Sequence, residues 1–221
     1  MNTLFLMPIA IATSVSLAGV VTPFTETFET GTNNWLMGTF DAPIYHTIGA
    51  LDGSAYISSN ADLNSAGPFG LSVFRGEDHF NASADAFVGN YLTSGINRIT
   101  FDFRHDAGID LNVALRVSGS NNFPGFGVEL PELVGSGQWV TLSFDLDFFN
   151  PLLTLEGPPT PDFYNSVMEA VGNLQVSVER PDGLDTPLVV GFDLDNVSII
   201  PAPSSLTLLS IGGLLGIRRR R

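Results

Sequence analysis

The pattern that most constrains the fold is a two-residue alternation of apolar and polar side chains, which recurs in four segments of the chain. Isoleucine, leucine, valine and phenylalanine occupy every second position of 99–104, 111–118, 140–147 and 174–179. Alternation of this kind is typical of antiparallel β-strands with one buried and one solvent-facing side. Turn-forming residues separate the segments. The pattern therefore predicts an all-β protein, most simply a single jelly-roll β-sandwich.

One stretch between the strands has the signals of a short helix. Thr160 is a suitable N-cap, Pro161 suits the first helical position, and Asp162 places an acid in the first turn. Four apolar residues then share one face of the helix: Phe163, Val167, Ala170 and Val171. Gly172 is expected to end it.

The first 18 residues have the features of a secretory signal peptide. Residues 4–12 form an apolar run, and Ser16, Leu17 and Ala18 provide a cleavage site with a small residue on each side of leucine. We therefore assign residues 1–18 to a signal peptide and residues 24–200 to the β-sandwich domain. The protein is expected to be exported.

The segment 201–221 predicts a transient anchor in the inner membrane. Its prolines stop the preceding strand, because proline has no backbone N–H and a fixed φ. The run 206–217 carries no charge and is shorter than the ~20 residues that a membrane-spanning helix needs. Four arginines close the chain, and such a cluster stays on the cytoplasmic side.

These residues resemble the PEP-CTERM sorting signal of exported bacterial proteins. In that signal a Pro-Glu-Pro-like motif precedes a short hydrophobic helix and a terminal arginine cluster, and here alanine replaces the acidic residue. The matching residues are Pro201, Ala202, Pro203, Arg218, Arg219, Arg220 and Arg221. The resemblance implies an exosortase-type processing enzyme as a partner and delivery to the cell surface or extracellular matrix. A plain tail anchor is the alternative interpretation of the same segment.

The charge balance excludes some partners. The chain has 23 acidic and nine basic residues, and four of the basic ones are the terminal arginines. The remaining domain is strongly negative, which argues against nucleic acid or anionic lipid as a partner. Without any cysteine, the chain has neither a disulfide framework nor a thiol site. Its carboxylates could serve a divalent cation, although a solvated acidic surface explains most of them.

The last strand of the domain changes phase. Phe192 and Leu194 share one two-residue phase, whereas Val197 and Ile199 share the other. A regular strand cannot bury both pairs, so we expect a β-bulge near 195–196. A bulge frees carbonyl groups and redirects side chains, which suits a metal site.

The two ends of the domain resemble the galactose-binding-like and carbohydrate-binding-module jelly rolls. Such domains open with Phe-Glu-x-Gly and a tryptophan, here 28–31 and Trp35, and close with a strand like Asp195-Asn196-Val197. The resemblance implies a structural calcium ion between the termini. Its expected oxygen ligands come from Glu29, Gly31, Asp52, Ser54 and Asp195. Alternatively, Glu29 and Asp195 are ordinary polar residues at strand edges.

The same resemblance implies glycan binding, which needs exposed aromatic rings that stack on sugars. The candidate ligand-binding residues are Trp35, Tyr45, Phe123 and Phe126, with Trp139 as a further platform. Phe123 and Phe126 lie in a loop rich in glycine and asparagine, where aromatic side chains are less constrained to the core. Burial in the core is the alternative for each of these rings.

Catalytic chemistry has little support in the sequence. His79 and His105 are candidate acid–base groups, but the nucleophile-elbow, zinc-protease and phosphate-loop motifs do not occur. Asp145 and Asp147 share a strand face, as any solvent-facing pair would. We therefore predict an exported, non-catalytic binding or structural module. The alternatives are a carbohydrate-binding module for envelope or exopolysaccharide glycans and, third, a glycan-active or ester hydrolase.

Overall fold

The computed structural model describes residues 20–66, 70–179, 182–183 and 186–202, and its strands form two antiparallel β-sheets. We call the first the terminal sheet, because it holds the first and the last strand. Its spatial order is β3 (Ile44–His46), β4 (Tyr56–Asp62), β12 (Val189–Pro201), β6 (Ile96–His105) and β9 (Val140–Asp145), and β1 (Phe24–Glu26) also pairs with β12.

The second sheet, which we call the groove sheet, packs against the first. Its spatial order is β10 (Leu153–Leu155), β8 (Gly125–Glu129), β7 (Val113–Gly119), β11 (Val171–Val178), β5 (Leu71–Glu77) and β2 (Leu36–Met37). The connections contain helices α1 (Tyr91–Ser94) and α2 (Pro161–Met168) and three short 3-10 turns at Leu63–Ser65, Asp78–Phe80 and Ala82–Asp85.

The core lies between the inner faces of the two sheets. The four alternating segments fall largely in β6, β7, β9 and β11, and their apolar side chains are buried, except that of Val140, which is half-buried. Aromatic rings fill much of this space: Phe101 stacks on Phe144 with ring centroids 5.0 Å apart. Burial of apolar surface on this scale is the main force that stabilises such a fold. The prediction of a jelly-roll β-sandwich with one short helix is confirmed: the predicted helix is α2, and α1 has only four residues.

Strand β11 differs from the prediction, because all eight of its residues are buried. The alternation in 174–179 predicted a solvent-facing polar side, which is wrong for Gln175, only 4% exposed. β11 lies between β5 and β7, and side chains from both neighbours cover its outer face. Gln175 bonds to Glu77 on one side and to Arg116 on the other.

Helix α2 begins where the sequence predicted and ends earlier. Thr160 accepts a hydrogen bond at its Oγ1 from the Phe163 N–H (3.3 Å), and Pro161 is the first helical residue. The helix ends at Met168, and Val171 and Gly172 belong to β11. A Cβ atom on Gly172 would lie 2.6 Å from the backbone nitrogen of Ser120, so glycine is needed here for close strand packing rather than for a helix cap.

The expected bulge occurs in β12. Its pairing with β6 shifts register between Asp195 and Ser198, and Asn196 has a left-handed backbone with φ 51°. As a result Leu194 and Asp195 are consecutive buried residues. The carboxylate of Asp195 is thereby directed away from the apolar core and toward the loop before β4.

The chain continues in sheet pairing up to the segment assigned to sorting. Pro201 is the last residue of β12, and the Ala202 N–H donates to the Gly95 carbonyl (2.8 Å). Pro203, the terminal arginines and the proposed signal peptide 1–18 lie outside the described residues. In the part of the chain that the structure describes, we find no helix that is long and apolar enough to span a membrane.

Candidate functional site

The outer face of the groove sheet carries a row of polar side chains. Gln175 on β11 is paired directly with Arg75 on β5 and with Arg116 on β7. Directly paired residues of antiparallel strands point to the same side of a sheet. The three side chains therefore stand next to one another on the outer face, and we call the depression around them the groove.

Hydrogen bonds fix the centre of this row. The Gln175 amide donates to Glu77 Oε1 and to Asn122 Oδ1, both at 2.9 Å. Arg75 donates from Nη1 to the same Glu77 oxygen at 2.9 Å. The planar groups of these side chains are thus held in one arrangement before any ligand arrives.

Arg116 is the most highly connected residue of the groove. Its guanidinium makes a two-bond ion pair with Glu156, including Nη2 to Oε2 at 2.7 Å, and its Nη2 donates to the Asn122 carbonyl at 2.6 Å. Such bidentate pairs combine strength with a fixed orientation. Gly125 makes room for it, since a Cβ atom there would lie 2.7 Å from Glu156 Oε2.

The groove has two connected parts. One encloses about 740 Å³ and is lined by Arg75, Gln175 and Phe123 among others. The other encloses about 260 Å³ over β7, β8 and β10. Both parts are lined by Arg116 and Glu156, so they form one depression across the sheet.

The far end of the groove is acidic. Burial raises the pKa of Glu129, and the neighbouring Glu179 carboxylate raises it further. Asn112 contacts both carboxylates through its side-chain nitrogen. A ligand that extends to this end therefore meets hydrogen-bond acceptors.

The predicted aromatic platforms have different positions. Phe123 is 59% exposed and lines the groove. Tyr45 is partly exposed, but it lies on β3 of the other sheet and donates from its hydroxyl to the Glu29 carbonyl (3.0 Å). Trp35 and Phe126 are fully buried, so they present no ring face to a sugar.

Trp35 is buried for a structural reason. Its indole N–H donates to Ser83 Oγ at 2.9 Å, and Ser83 in turn donates to the buried carboxylate of Glu26. The ring also meets Phe28 and Phe87 edge to face. This arrangement satisfies every polar atom that accompanies Trp35 into the core.

Four of the five predicted calcium ligands come together at the bulge of β12. Ser54 donates from its hydroxyl to Asp195 Oδ2 (3.0 Å), and its backbone N–H donates to Asp52 Oδ1 (2.9 Å). Glu29 accepts at Oε1 from the N–H of Ala55, the next residue along (3.4 Å). Gly31 lies in the turn after Glu29, where its N–H donates to the Phe28 carbonyl.

Asp195 is the unusual member of this cluster. It is fully buried, and its Oδ1 has no hydrogen-bond partner among the described residues. Burial raises the pKa of Asp195 to about 7, and the charges of Asp52 and Asp102 add to the effect. The hydrogen bonds from Ser54 lower the pKa of Asp52.

The carboxylates of the cluster do not form a closed metal site by themselves. Among the described residues, no group of three or more histidine, cysteine, aspartate or glutamate side chains is placed to hold a metal ion. An ion at this position would need hydroxyl, backbone or water oxygens in addition, which calcium accepts.

The two candidate histidines have different environments. His105 is buried, and its ring nitrogens contact the Val134 carbonyl (2.9 Å) and the Ala107 N–H (3.3 Å). Both nitrogens are therefore used within the fold. His79 is exposed on a short 3-10 turn, with its ring against Phe80.

The groove could not be predicted from the sequence pattern alone. Its residues 75, 116 and 175 come from three distant strands, and only the pairing register places them side by side. A local signal was present for Phe123, since an aromatic residue in a turn rich in glycine and asparagine is less constrained to the core.

No known family model matches the sequence, and no curated protein matches it significantly. The structure is similar to several solved β-sandwich chains. One is the endo-1,4-β-D-xylanase 10B of Clostridium thermocellum, solved as CBM22-1 and GH10 modules with xylohexaose: identity is 13%, TM-score 0.48, and the match covers 81% of this chain and 28% of the xylanase chain. This chain thus spans less than a third of that protein.

Two further similarities cover almost the whole of the matched chain. The family 11 carbohydrate-binding module of a cellulosomal cellulase of Clostridium thermocellum is 10% identical, with a TM-score of 0.42 and coverage of 83% of this chain and 97% of the module. The L4b domain of human laminin alpha-2 is 8% identical, with a TM-score of 0.46 and coverage of 84% and 100%.

Proposed function

We propose that the domain is a non-catalytic carbohydrate-binding module and that it binds a glycan chain in the groove. The observation that carries the proposal is the position of Phe123, an exposed ring beside a row of fixed planar polar groups. A sugar presents an apolar ring face and a rim of hydroxyl groups. An aromatic platform with amide, guanidinium and carboxylate groups next to it complements both.

The charge of the groove favours a neutral glycan. Arg75 is paired with Glu77, and Arg116 is paired with Glu156, so each positive charge has a negative partner. The network is also formed in advance, which lowers the entropy lost on binding. From β5 to β10 the groove crosses four strand spacings, roughly 19 Å, which is room for several sugar rings.

Replacing Phe123 with alanine is expected to weaken glycan binding. Loss of the aromatic face should reduce affinity by about 10-fold without destabilising the domain, because the side chain is exposed. Affinity electrophoresis in gels that contain a neutral polysaccharide, namely xylan, mixed-linkage β-glucan or agarose, measures the effect. Phe149→Ala is the matched control, since Phe149 is 86% exposed and does not line the groove. Equal retardation of the two variants, or none of the wild-type protein in any gel, would refute the proposal.

We also propose that the protein is exported and sorted by an exosortase-type system. Support comes from the order of motifs in 201–221 and from the acidic, cysteine-free domain. The described chain leaves the sheet at Pro201, so a cut shortly after it would not disturb the strands.

Protein released from the cell surface is expected to lack Arg218–Arg221. Intact-mass spectrometry of the released protein measures this directly. A control chain, with glutamine in place of the four arginines, should remain unprocessed because it lacks the charge that keeps the end in the cytoplasm. A released protein with its full C-terminal mass would contradict the sorting proposal.

A structural calcium ion at the bulge of β12 is the third part of the proposal. The buried, unpaired Oδ1 of Asp195 fits a cation, and Asp52, Ser54 and Glu29 supply further oxygens nearby. Gly31 remains a predicted ligand. When bound, calcium would neutralise the buried carboxylate and join the first and last segments of the domain.

A further inference from the structure

The outer face of the terminal sheet carries a second depression, which shares no residue with the groove. It encloses about 470 Å³ and is lined by residues of β3, β4, β12 and β6. Ser58, Asp193 and Arg104 stand side by side there, because Asp193 on β12 pairs directly with Ser58 on β4 and with Arg104 on β6. We call this depression the second site.

The rings of His46 and Tyr56 and the guanidinium group of Arg104 line the depression, and Trp139 packs against Tyr56 and Arg104. Arg104 lies over the ring of Trp139 at 4.8 Å and over that of Tyr56 at 5.5 Å. Tyr56 meets Trp139 edge to face, and the ring of His46 stacks on Tyr56 with centroids 4.4 Å apart. The indole N–H of Trp139 donates to the Gly49 carbonyl (3.0 Å), so the ring is held in place beside Tyr56 and Arg104.

Several polar atoms of the depression are free to meet a ligand. Asp106 accepts at Oδ1 from the Gly191 N–H (2.7 Å), but no described residue donates to its Oδ2. Arg104 donates from Nε to Asp193 Oδ2 (2.7 Å), while its Nη1 has no acceptor in the described part of the chain. Asn60 is exposed and makes no side-chain hydrogen bond within the described ranges. All three line the depression.

The mixture of these groups selects the ligand class. A simple anion would be repelled by Asp106 and Asp193, and a simple cation by Arg104. Neighbouring sugar hydroxyl groups both donate and accept, so they match a free carboxylate oxygen, a free guanidinium N–H and a free amide. The volume lies within the range of small-ligand pockets.

We propose that the second site binds a single sugar unit, independently of the groove on the opposite face. The carboxylate of Asp106 and the amide of Asn60 would bond to its hydroxyl groups, and the rings of His46 and Tyr56 would close one side. Gly191 keeps the site open, since a Cβ atom there would lie 3.0 Å from Asp106 Oδ2.

The two tryptophans of the chain give a direct test. Trp35 is buried in the core, whereas Trp139 contacts Arg104 and Tyr56, which line the second site. The described groove lining contains neither tryptophan. The ¹⁵N-labelled protein is titrated with the methyl glycosides of glucose, galactose, xylose and N-acetylglucosamine at millimolar concentrations. At least one of them is expected to shift the indole signal of Trp139 and leave that of Trp35 in place. Trp139→Phe assigns the two signals.

Paired variants separate the second site from the groove. Asn60→Ala and Asp106→Asn are each expected to weaken the affinity measured from the Trp139 signal by about 10-fold. The response of the Gln175 side-chain amide signal to the sugar should be the same as in the wild-type protein. Both should fold, because Asn60 is exposed and asparagine at 106 can still accept from Gly191. Gly127→Val, on the groove floor, should leave the Trp139 response intact.

Each pattern of signals has one meaning. A Gln175 response without a Trp139 response overturns the second site and leaves the groove proposal standing. A Trp139 response alone supports the second site, and the groove is then judged by the polysaccharide gels with Phe123→Ala. A Trp139 response that persists at full strength in both variants overturns the assignment of Asn60 and Asp106, and silence of Trp139 toward all four glycosides overturns the second site.

Discussion

Replacing Asp195 with asparagine is expected to stabilise the metal-free protein near neutral pH and to remove its stabilisation by calcium. The two effects have opposite signs and come from the same buried carboxylate. Asparagine is similar in size and can still accept the hydrogen bond from Ser54, so the packing around residue 195 should be preserved. Only the charge changes. In the absence of a cation the buried charge destabilises the folded protein, whereas in the presence of a cation the charged carboxylate is a ligand.

The pH dependence follows from the raised pKa. Burial raises the pKa of Asp195 from 3.8 to about 7, so the folded protein binds a proton more tightly than the unfolded chain does. The free energy of unfolding should therefore fall as the pH rises from about pH 4 to about pH 8, by at most about 4 kcal/mol. Asp195→Asn lacks this titration and should show a flatter profile in the same range.

Calcium should reverse the order of stability, so that the wild-type protein becomes more stable than Asp195→Asn. The ion binds the folded wild-type protein and stabilises it, by about 2.7 kcal/mol at a concentration 100 times the dissociation constant. The variant lacks a charged ligand and should gain much less. Urea denaturation in EGTA and in calcium, at several pH values, measures both effects.

Glu132→Gln is the matched control for this experiment. It removes one negative charge, as Asp195→Asn does, but Glu132 is exposed and makes no side-chain hydrogen bond in the described structure. It should follow the wild-type protein under every condition. Equal stabilisation of all three proteins by calcium would exclude Asp195 as a ligand, and no response of the wild-type protein would exclude the ion.

The strands and the bulge could be predicted from the sequence, because both follow from local patterns. The change of phase between Leu194 and Val197 requires an extra residue somewhere in between, whatever the rest of the fold does. The cluster of Glu29, Asp52, Ser54 and Asp195 came from the resemblance to known jelly rolls. Its members are brought together because β12 pairs with β1, which precedes Glu29, and with β4, which follows Asp52 and Ser54.

The exposure of aromatic side chains was much harder to predict. Trp35 and Phe126 lie in turn-rich surroundings similar to that of Phe123, yet both are buried. Burial of Trp35 depends on Ser83, which is 48 residues away along the chain. Likewise, the polar outer side of β11 is covered only because of its neighbours in the sheet, which a two-residue period does not reveal.

Replacing Gly127 with valine is expected to block the groove without weakening the fold. Gly127 on β8 pairs directly with Arg116, and it lines the smaller part of the groove. A Cβ atom there would meet only the Leu115 carbonyl, at 3.9 Å, and the backbone is not left-handed. Valine suits a strand better than glycine, so the free energy of unfolding should be unchanged or higher.

The loss of binding should depend on both the size of the new side chain and the length of the glycan. Alanine at 127 should have a small effect, while valine should reduce affinity for polysaccharide by about 10-fold or more, because it fills the path past Arg116. Short oligosaccharides that occupy only the larger part of the groove should lose less. Isothermal titration with oligosaccharides of increasing length, chosen from the polysaccharide that retards the protein, measures this trend.

Gly135→Val is the control, since Gly135 lies in an exposed turn and a Cβ atom there meets only Asp110 Oδ1, at 3.8 Å. It should bind like the wild-type protein at every chain length. If Gly127→Val binds like the wild-type protein while Phe123→Ala binds more weakly, the glycan contacts Phe123 but does not extend over β8. If neither variant is impaired, glycan bound by this domain lies outside the groove, and the ion pairs of Arg75 and Arg116 serve the fold alone.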